Sequence, residues 1–326
     1  MEETLSEHQQ HKEDQEHKEY KEHEEKQYLD LVNKILKEGF WEEGRNGKTK
    51  GIFGYTMRFS LKDDTIPIFT TKKTAWKTCL KELIWFIRGE TDNRLLQKQN
   101  VHIWDGNTSR DFLDSVGLYY NDEGIAGPIY GYQWRNFNAP YNCYNGKRMV
   151  DNFEPNDRHY NSVSFRGIDQ LEYIIDCLKD PAKRTSRRLI MTAWNPCQLN
   201  SMALPPCHVM CQFNVFDGNK LSCALYQRSN DVSLGTSFNV ASYSFLTHLL
   251  AKHCGLVAHE FIHFMGNCHI YEEHVEQMTE LLNRDFHPFP KINIRNIKEN
   301  INNYEVDDFE IIGYTSNEPI KMKMVA

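Results

Sequence analysis

The sequence lacks any apolar run close to the roughly 20 residues that a membrane-spanning helix needs. Its N-terminus also lacks the apolar stretch of a secretory signal peptide, so we expect a soluble protein of the cytoplasm. The nine cysteines are odd in number and scattered through apolar surroundings, which argues against a disulfide framework. We therefore predict reduced thiols.

Outside a single segment, the sequence carries almost no net charge. The first 26 residues contain ten acidic residues and four lysines, whereas the other 300 residues contain 35 acidic and 34 basic ones. No overall field argues for nucleic acid or membrane as a partner, and any phosphate site must be local. Residues 1–26 consist mostly of Glu, Lys, His and Gln, a composition that cannot bury a core, and we predict a disordered charged tail.

Periodicity predicts the secondary structure of residues 27–326, which we interpret as one catalytic domain. Apolar spacing predicts a helix that begins near Tyr28 and ends near Gly39, and further helices over 74–88, 168–178 and 238–254. Alternation predicts strands over 52–61, 189–194, 209–216 and 221–228, with a turn at 217–219. Residues 142–164 are polar and rich in Asn, which predicts a surface insertion. Because strands and helices do not alternate regularly and no repeat is apparent, we predict an α+β fold.

Cys207 is the first candidate for chemistry. Pro205 and Pro206 fix the backbone before it, and a strand is predicted from Val209, so its thiol should be held rigidly. A lone cysteine is more often inert packing, and the motif alone leaves that alternative open.

Charged residues near predicted strand and helix ends are the next candidates. Arg228 and Ser229 follow a strand and suit a phosphate. Arg187 and Arg188 precede another strand, where solvated side chains are an equally good interpretation. Glu82 lies on an apolar helix, where burial would raise its pKa and suit it to proton transfer.

Glu82 has a competing interpretation, and two further patterns contain possible ligand-binding residues. Glu82 could instead pair with Lys81 or Arg88 at the helix surface. His269 and Tyr271 share one face of an extended segment and could reach one ligand. Many Cys and His residues lie between 207 and 274, but their spacings match no two-plus-two zinc pattern, and we predict no metal.

From about Tyr28 to the last residue, the sequence resembles the thymidylate synthase family. The resemblance rests on eight ordered segments: 51–54 (GIFG), 69–73 (FTTKK), 82–86 (ELIWF), 103–105 (IWD), 127–135 (GPIYGYQWR), 202–208 (MALPPCH), 225–229 (LYQRS) and 269–271 (HIY). It implies a large mixed β-sheet with packed helices, in a homodimer formed through the sheet face. It also implies reductive methylation of deoxyuridylate (dUMP) to thymidylate (dTMP), with 5,10-methylenetetrahydrofolate as co-substrate and no nucleic acid or membrane required.

The resemblance also assigns roles to residues. The implied catalytic set is Cys207, Glu82, Tyr130, Asn239, Arg228 and Asp231. The implied nucleotide set is Arg45, Arg187, Arg188, Gln227, Arg228, Ser229, Asp231, Asn239, His269 and Tyr271, with Arg187 and Arg188 donated by the other subunit. The implied folate contacts are Lys72, Ile103, Trp104, Asn107, Asp231, Leu234, Gly235, Phe238 and Ala326, the last from a tail that closes over the ligands.

Within these sets, the Cys207 thiolate would add to C6 of the pyrimidine. Four surrounding arginines should lower the pKa of that thiol. Glu82 would organise water, and Tyr130 would help to remove the C5 proton. Asn239 would bind the uracil edge, and His208 has no obvious acid–base role.

Two positions depart from the family pattern. Ser237 stands where the family usually has Pro, and Asn267 stands where it usually has Asp. The nearest rival function is a deoxycytidylate hydroxymethylase of the same fold, against which Asn239 argues, because a carboxylate would suit cytosine better. A folate- or RNA-binding protein that has lost catalysis is a second alternative, and retention of Cys207, Glu82 and Tyr130 argues against it.

Overall fold

The computed structural model describes residues 23–44, 46–141, 143–144, 147–148 and 167–324. The helices are α1 (Lys26–Glu38), α2 (Trp76–Ile87), α3 (Arg94–Gln97), α4 (Asp105–Thr108), α5 (Arg110–Ser115), α6 (Tyr130–Asn136), α7 (Gln170–Lys179), α8 (Gly235–His253) and α9 (Val275–Leu281). The strands are β1 (Phe40–Gly44), β2 (Gly47–Ser60), β3 (Cys143–Tyr144), β4 (Lys147–Arg148), β5 (Ile190–Thr192), β6 (His208–Phe216), β7 (Lys220–Asp231), β8 (Val257–Tyr271), β9 (Lys291–Ile294) and β10 (Phe309–Ile312). Short 3₁₀ turns lie at Lys62–Asp64, Leu199–Ser201, Glu272–His274, Ile301–Asn303 and Val306–Asp308.

One mixed sheet organises these elements, in the order β1-β2-β8-β7-β6-β5. Neighbouring strands are antiparallel except β7 and β8, which are parallel. A parallel pair needs a crossover connection, and the almost fully buried helix α8 provides it. The predicted α+β fold with a large mixed sheet and packed helices is confirmed.

The hairpin between β6 and β7 follows the predicted turn. Asp217 and Gly218 have φ angles of 46° and 77°. Two successive positive φ angles are typical of the type I′ turn, whose twist matches that of the flanking strands. The turn therefore sets the register from Phe216 opposite Lys220 to Met210 opposite Tyr226, and an irregularity between Met210 and His208 then places His208 opposite Gln227.

The strand β8 was not predicted over its full length. It is the longest strand of the described chain and pairs with both β2 and β7. Polar residues at His259, Glu260, His263 and Asn267 interrupt its apolar pattern, although His263 is fully buried. Burial inside a polar network, rather than packing against apolar side chains, explains why alternation failed to predict it.

Order begins before the predicted end of the charged tail at residue 26. Helix α1 begins at Lys26, and Glu25 is fully buried with both carboxylate oxygens bonded. Its oxygens accept hydrogen bonds from the backbone N–H and the hydroxyl of both Thr70 and Thr71, at 2.6–2.8 Å. A buried carboxylate with four donors resists disorder, so the boundary drawn at 26 and 27 lies inside an ordered segment. Residues 1–22 lie outside the described chain.

Most of the predicted insertion at 142–164 also lies outside the described residues. Its described parts are the two short paired strands β3 and β4. In the part of the chain that the structure covers, no helix is long and apolar enough to cross a membrane.

Candidate active site

A cavity of about 560 Å³ opens between α2, α8 and the ends of β6 and β7. Most of the predicted site residues line it: Lys72, Glu82, Ile103, Trp104, Asn107, Tyr130, Cys207, Gln227, Ser229, Asp231, Leu234, Gly235, Phe238 and Asn239. Arg187, Arg188, Arg228, His269 and Tyr271 do not line it. Arg45 and Ala326 lie outside the described residues.

Cys207 stands at the start of β6, where the chain leaves Pro205 and Pro206. Its backbone N–H donates to the Tyr130 hydroxyl oxygen at 2.8 Å, and its carbonyl accepts from the Arg228 N–H at 2.9 Å. Both backbone groups of the cysteine are therefore bonded, and the thiol points from a fixed backbone into the cavity wall. This arrangement suits a nucleophile.

The lowering of the thiol pKa that the resemblance implies needs two arginines of a second subunit, so in one chain the pKa of Cys207 reflects only its own surroundings. Burial raises the pKa of Cys207 and outweighs the lowering by Arg228 and by the Tyr130 hydroxyl. Among the described residues, Arg228 brings its guanidinium close to the sulfur, with Nη2 at 3.9 Å from Sγ. Arg187 and Arg188 are exposed and lie away from the cavity.

Arg228 braces the loop that carries the cysteine. Its Nε donates to the Pro206 carbonyl and its Nη2 to the Pro205 carbonyl, both at 2.9 Å. The guanidinium also lies 5.5 Å from the centre of the Trp194 ring. These bonds use Nε and Nη2 and leave Nη1 without a hydrogen-bond partner among the described residues, so an incoming anion would meet a preoriented donor.

Glu82 is buried on α2, so the surface pairing with Lys81 or Arg88 does not occur. Lys81 instead donates to the Gln99 carbonyl, and Arg88 pairs with Glu305. Glu82 Oε1 accepts a 2.7 Å hydrogen bond from Trp104 Nε1. Burial raises the pKa of the Glu82 carboxyl to about 7, despite the opposing effect of the Trp104 hydrogen bond. The group can therefore both bind and release a proton near neutral pH.

Tyr130 and His208 lie beside the cysteine with opposite consequences of burial. Burial, followed by the nearby Cys207, raises the pKa of Tyr130 well above its ordinary value. Burial lowers the pKa of His208 to about 4, so its ring is neutral at pH 7. The two rings are 5.4 Å apart, and the neutral imidazole adds no charge to the site.

A chain of buried amides forms the floor of the cavity. Asn239 Nδ2 donates to Gln227 Oε1 at 3.0 Å, and His263 Nε2 donates to the same oxygen at 2.8 Å. Gln227 Nε2 in turn donates to the Ser229 carbonyl at 2.8 Å. Because every polar end of Gln227 is bonded, the amide of Asn239 has a fixed orientation toward the cavity. His263 was not predicted to belong to the site, because its partner Gln227 lies 36 residues away in the sequence.

The turn before α8 shapes a second part of the wall. Asp231 Oδ1 accepts hydrogen bonds from the N–H groups of Ser233 and Leu234, at 2.8 and 3.3 Å. Lys72 Nζ donates to the Ser233 carbonyl. Burial lowers the pKa of Lys72 to about 8, against the raising effect of Asp231. This turn therefore joins a cation and an anion next to the apolar side chain of Phe238.

His269 and Tyr271 share one face at the end of β8, as predicted. Their rings are 5.4 Å apart and perpendicular, and His269 lies in register with Asp231. His269 Nδ1 forms a 2.8 Å hydrogen bond with Asn267 Oδ1. The amide oxygen of Asn267 thus accepts a hydrogen bond from the histidine ring, so an amide at this position can orient His269.

The C-terminal segment also lines the cavity and was only partly predicted. Ile320, Met322 and Met324 face the cavity, although the resemblance pointed to 323–326. Their period of two was the available signal in the sequence. Thr78, one helical turn before Glu82, also lines the cavity and could have been found from helical spacing.

Among the described residues, no group of three or more His, Cys, Asp or Glu side chains could hold a metal ion. The cavity brings together a thiol, a carboxyl of raised pKa, a phenol and oriented amides.

Comparison with known proteins gives a consistent result. The family model described as thymidylate synthase matches residues 26–326. The chain is 44% identical over 303 residues to thymidylate synthase 1/2 of Encephalitozoon cuniculi, covering 92% of this chain and 97% of that protein. It is 44% identical over 299 residues to thymidylate synthase of Homo sapiens, covering 91% and 90%.

Longer relatives match as well. The chain is 44% identical over 301 residues to the bifunctional dihydrofolate reductase-thymidylate synthase of Leishmania amazonensis, covering 92% of this chain. It spans 55% of the length of that relative and 60% of the bifunctional relative from Paramecium tetraurelia.

Proposed function

The chain belongs to the thymidylate synthase family, and on that premise we propose that it converts dUMP to dTMP by reductive methylation. The observation that carries the proposal is the placement of the Cys207 thiol in one cavity with Glu82, Tyr130 and Asn239. Each of these groups meets a separate need of the reaction.

Cys207 would act as the nucleophile at C6 of the pyrimidine. Addition of the thiolate breaks the C5–C6 double bond and makes C5 a nucleophile, with the electron pair delocalised toward O4. Asn239 would bind the uracil edge, since its fixed amide offers a donor for O4 and an acceptor for N3–H. An oriented donor stabilises the charge that develops on O4.

Glu82 and Tyr130 would move protons. The Glu82 carboxyl, with its pKa near 7, can exchange a proton with water at the base during turnover. The Tyr130 hydroxyl lies against the nucleophile and would assist removal of the C5 proton. Both groups would act from fixed positions on helices.

The nucleotide phosphate would bind at the Arg228 side of the cavity. We infer contacts from Arg45, Arg228 and Ser229, completed by the partner subunit's Arg187 and the partner subunit's Arg188. Two such cations would also lower the pKa of the Cys207 thiol, which burial alone raises. His269 and Tyr271 would bind the deoxyribose hydroxyl.

A homodimer through the sheet face would supply those arginines. The sheet face turned away from α8 carries exposed aromatic side chains at Phe53, Tyr226 and Phe264, with exposed fractions of 85%, 41% and 41%. Tyr226 and Phe264 are register partners on neighbouring strands and form a continuous apolar surface. Such a surface favours burial against a second copy.

The folate co-substrate would occupy the apolar side of the cavity. The cavity volume lies within the usual range of about 300–1,000 Å³ for small-ligand sites, and Ile103, Trp104, Leu234 and Phe238 supply flat apolar walls. Lys72, Asn107, Asp231 and Gly235 would provide polar contacts, and Ala326 would contribute from the tail. When bound, 5,10-methylenetetrahydrofolate supplies the one-carbon unit and the hydride and leaves as dihydrofolate.

The test is an assay of the purified protein with dUMP and 5,10-methylenetetrahydrofolate. We expect dihydrofolate and dTMP in equal amounts. Deoxycytidylate in place of dUMP distinguishes the hydroxymethylase alternative, because Asn239 should reject cytosine. Product from deoxycytidylate without dihydrofolate would contradict the proposal.

A further inference from the structure

The segment 319–324 lines the cavity, and its Ile320 and Met322 side chains pack against the hydrophobic core, but its backbone has few hydrogen bonds. The preceding residues are anchored, since Asn317 bonds to the carbonyls of Thr70 and Asp285, and Arg284 donates to the Glu318 carbonyl. Within the described chain, residues 319–324 themselves make one hydrogen bond. The His274 Nε2 donates it to the Lys323 carbonyl at 2.8 Å.

His274 is placed for this single contact. Its side chain is 1% exposed and ends the 3₁₀ turn that follows β8. A neutral imidazole has one N–H, so donation from Nε2 leaves Nδ1 bare, and Nδ1 has no partner in the described chain. The one hydrogen bond that this buried ring makes within the described chain is thus the one to the C-terminal segment.

The Lys323 carbonyl, which accepts the hydrogen bond from His274, lies between two residues whose side chains face the cavity. Met322 and Met324 flank Lys323, and both line the cavity. In an extended segment, neighbouring side chains alternate in direction, so fixing the Lys323 carbonyl also fixes the two methionines. Loss of this hydrogen bond would therefore loosen the side chains of Met322 and Met324 as well as the backbone of Lys323.

His274 also contacts the predicted nucleotide side of the site. Its ring meets the Tyr271 ring edge-on, with centroids 5.9 Å apart and planes at 80°. Tyr271 is three residues earlier and is the residue that we expect to contact deoxyribose. A contiguous path therefore leads from the nucleotide through two rings to the segment at the cavity mouth.

We propose that His274 is a positioning residue that latches the segment 319–324 over the cavity, and that nucleotide bound at Tyr271 strengthens this latch. The second half rests on the proposed function, because it requires dUMP at Tyr271. The latch lowers the cost of ordering the folate wall, so its removal should weaken folate binding more than nucleotide binding.

A matched pair of variants separates the latch from general stability. His274→Phe keeps a ring against Tyr271 and removes the donor. His248→Phe makes the same change at a histidine that is 5% exposed, donates to the Thr65 carbonyl at 2.9 Å and does not line the cavity. His274→Gln restores an N–H donor. Thermal unfolding of all three variants shows whether they fold.

Trypsin digestion of the full chain, followed by mass spectrometry, measures the latch without relying on activity. Trypsin attacks the carbonyl carbon of the residue that it recognises, and His274 bonds the oxygen of that same Lys323 carbonyl. We expect dUMP to slow cleavage after Lys323 in the wild type, relative to cleavage after Lys183. In His274→Phe, cleavage after Lys323 should be about 3- to 10-fold faster and unaffected by dUMP, as loss of one hydrogen bond predicts.

Steady-state kinetics provide the second readout. The KM for 5,10-methylenetetrahydrofolate should rise about 3- to 10-fold in His274→Phe, with dUMP affinity changed less than about twofold. His248→Phe should match the wild type, and His274→Gln should recover part of the loss. Equal cleavage and equal KM in the two Phe variants would overturn the latch. If the wild type makes no dTMP, the proposed function is overturned, while cleavage after Lys323 still decides the latch.

Discussion

The floor and the rim of the cavity are built differently. The floor consists of Glu82, Gln227 and Asn239 on α2, β7 and α8, all less than 10% exposed and all hydrogen-bonded to neighbours. The rim consists of segments without regular structure, including 319–324, and in the proposed dimer it also includes Arg187 and Arg188 of the partner subunit. The floor is therefore complete in one chain, whereas the rim in the proposed dimer also needs residues of a second subunit.

The pKa values of titratable groups have different causes in the two regions. On the floor, desolvation dominates, and it moves the pKa of Glu82 up to about 7 and that of His208 down to about 4. At the rim, charge must come from neighbouring groups. The thiol of Cys207 lies between the two regions, since burial raises its pKa and Arg228 lowers it.

The largest expected effect is at the thiol that lies between the floor and the rim. Cys207→Ser replaces the thiol by a hydroxyl that is a far weaker nucleophile, and turnover should fall on the order of 10⁴-fold or more. Nucleotide binding, measured by calorimetry, should remain detectable. The control is Cys197→Ser at an exposed cysteine, which should leave turnover unchanged. Near-normal turnover by Cys207→Ser would remove it as the nucleophile.

The next effect tests whether the rim is shared between subunits. Arg187→Ala and Cys207→Ala homodimers should each be nearly inactive. A heterodimer purified with two different tags contains one intact site, and it should show about half of the wild-type turnover. An inactive heterodimer would contradict a phosphate site that includes the partner's Arg187.

A third prediction concerns the stability of the floor as pH changes. Burial raises the pKa of Glu82 from 4.5 to about 7, so the folded state binds the proton more tightly than the unfolded state. That contribution is present below pH 4.5 and is lost as pH rises through 7. From pH 5 to 8, the stability of Glu82→Gln relative to the wild type should therefore rise by about 2.5 kcal/mol.

Urea denaturation at fixed protein concentration measures this difference. Subtracting the free energy of unfolding of the wild type from that of Glu82→Gln at each pH cancels the contributions of groups that titrate in both proteins. A pH-independent difference would mean that Glu82 has an ordinary pKa in the folded protein.

The smallest effect concerns the support beneath the rim. Glu25→Gln replaces a carboxylate that accepts four hydrogen bonds from Thr70 and Thr71 with an amide whose NH₂ faces donors. The free energy of unfolding should fall by about 2 kcal/mol. Glu24→Gln is the matched control, because Glu24 accepts one bond, from the Ser60 N–H, and should lose less. Equal losses in the two variants would argue against an anchoring role for Glu25.

Much of the floor could be predicted from the sequence. Helical spacing correctly placed Glu82 inside an apolar helix, and strand alternation placed Gln227 on a strand beside the cysteine. Local periodicity carries this information because each residue's burial depends on its own element. The motif 202–208 then identified Cys207 itself.

The rim could be predicted only in part. Whether Arg187 reaches a phosphate depends on a second chain, which leaves no trace in local periodicity. Local periodicity also does not reveal the contacts of His263 at the floor and of His274 at the rim, which join segments 36 and 49 residues apart within one chain. The pKa of Cys207 is the balance of burial and distant charges, including those of a second subunit, so local sequence alone does not fix it.

The most direct test of the central claim is the mass of the protein quenched in acid during turnover with dUMP and 5,10-methylenetetrahydrofolate. We predict a species heavier by the bound nucleotide, and fragmentation should locate the added mass on Cys207. Added mass on another cysteine, such as Cys211, would contradict the claim. So would rapid dTMP formation by Cys207→Ser.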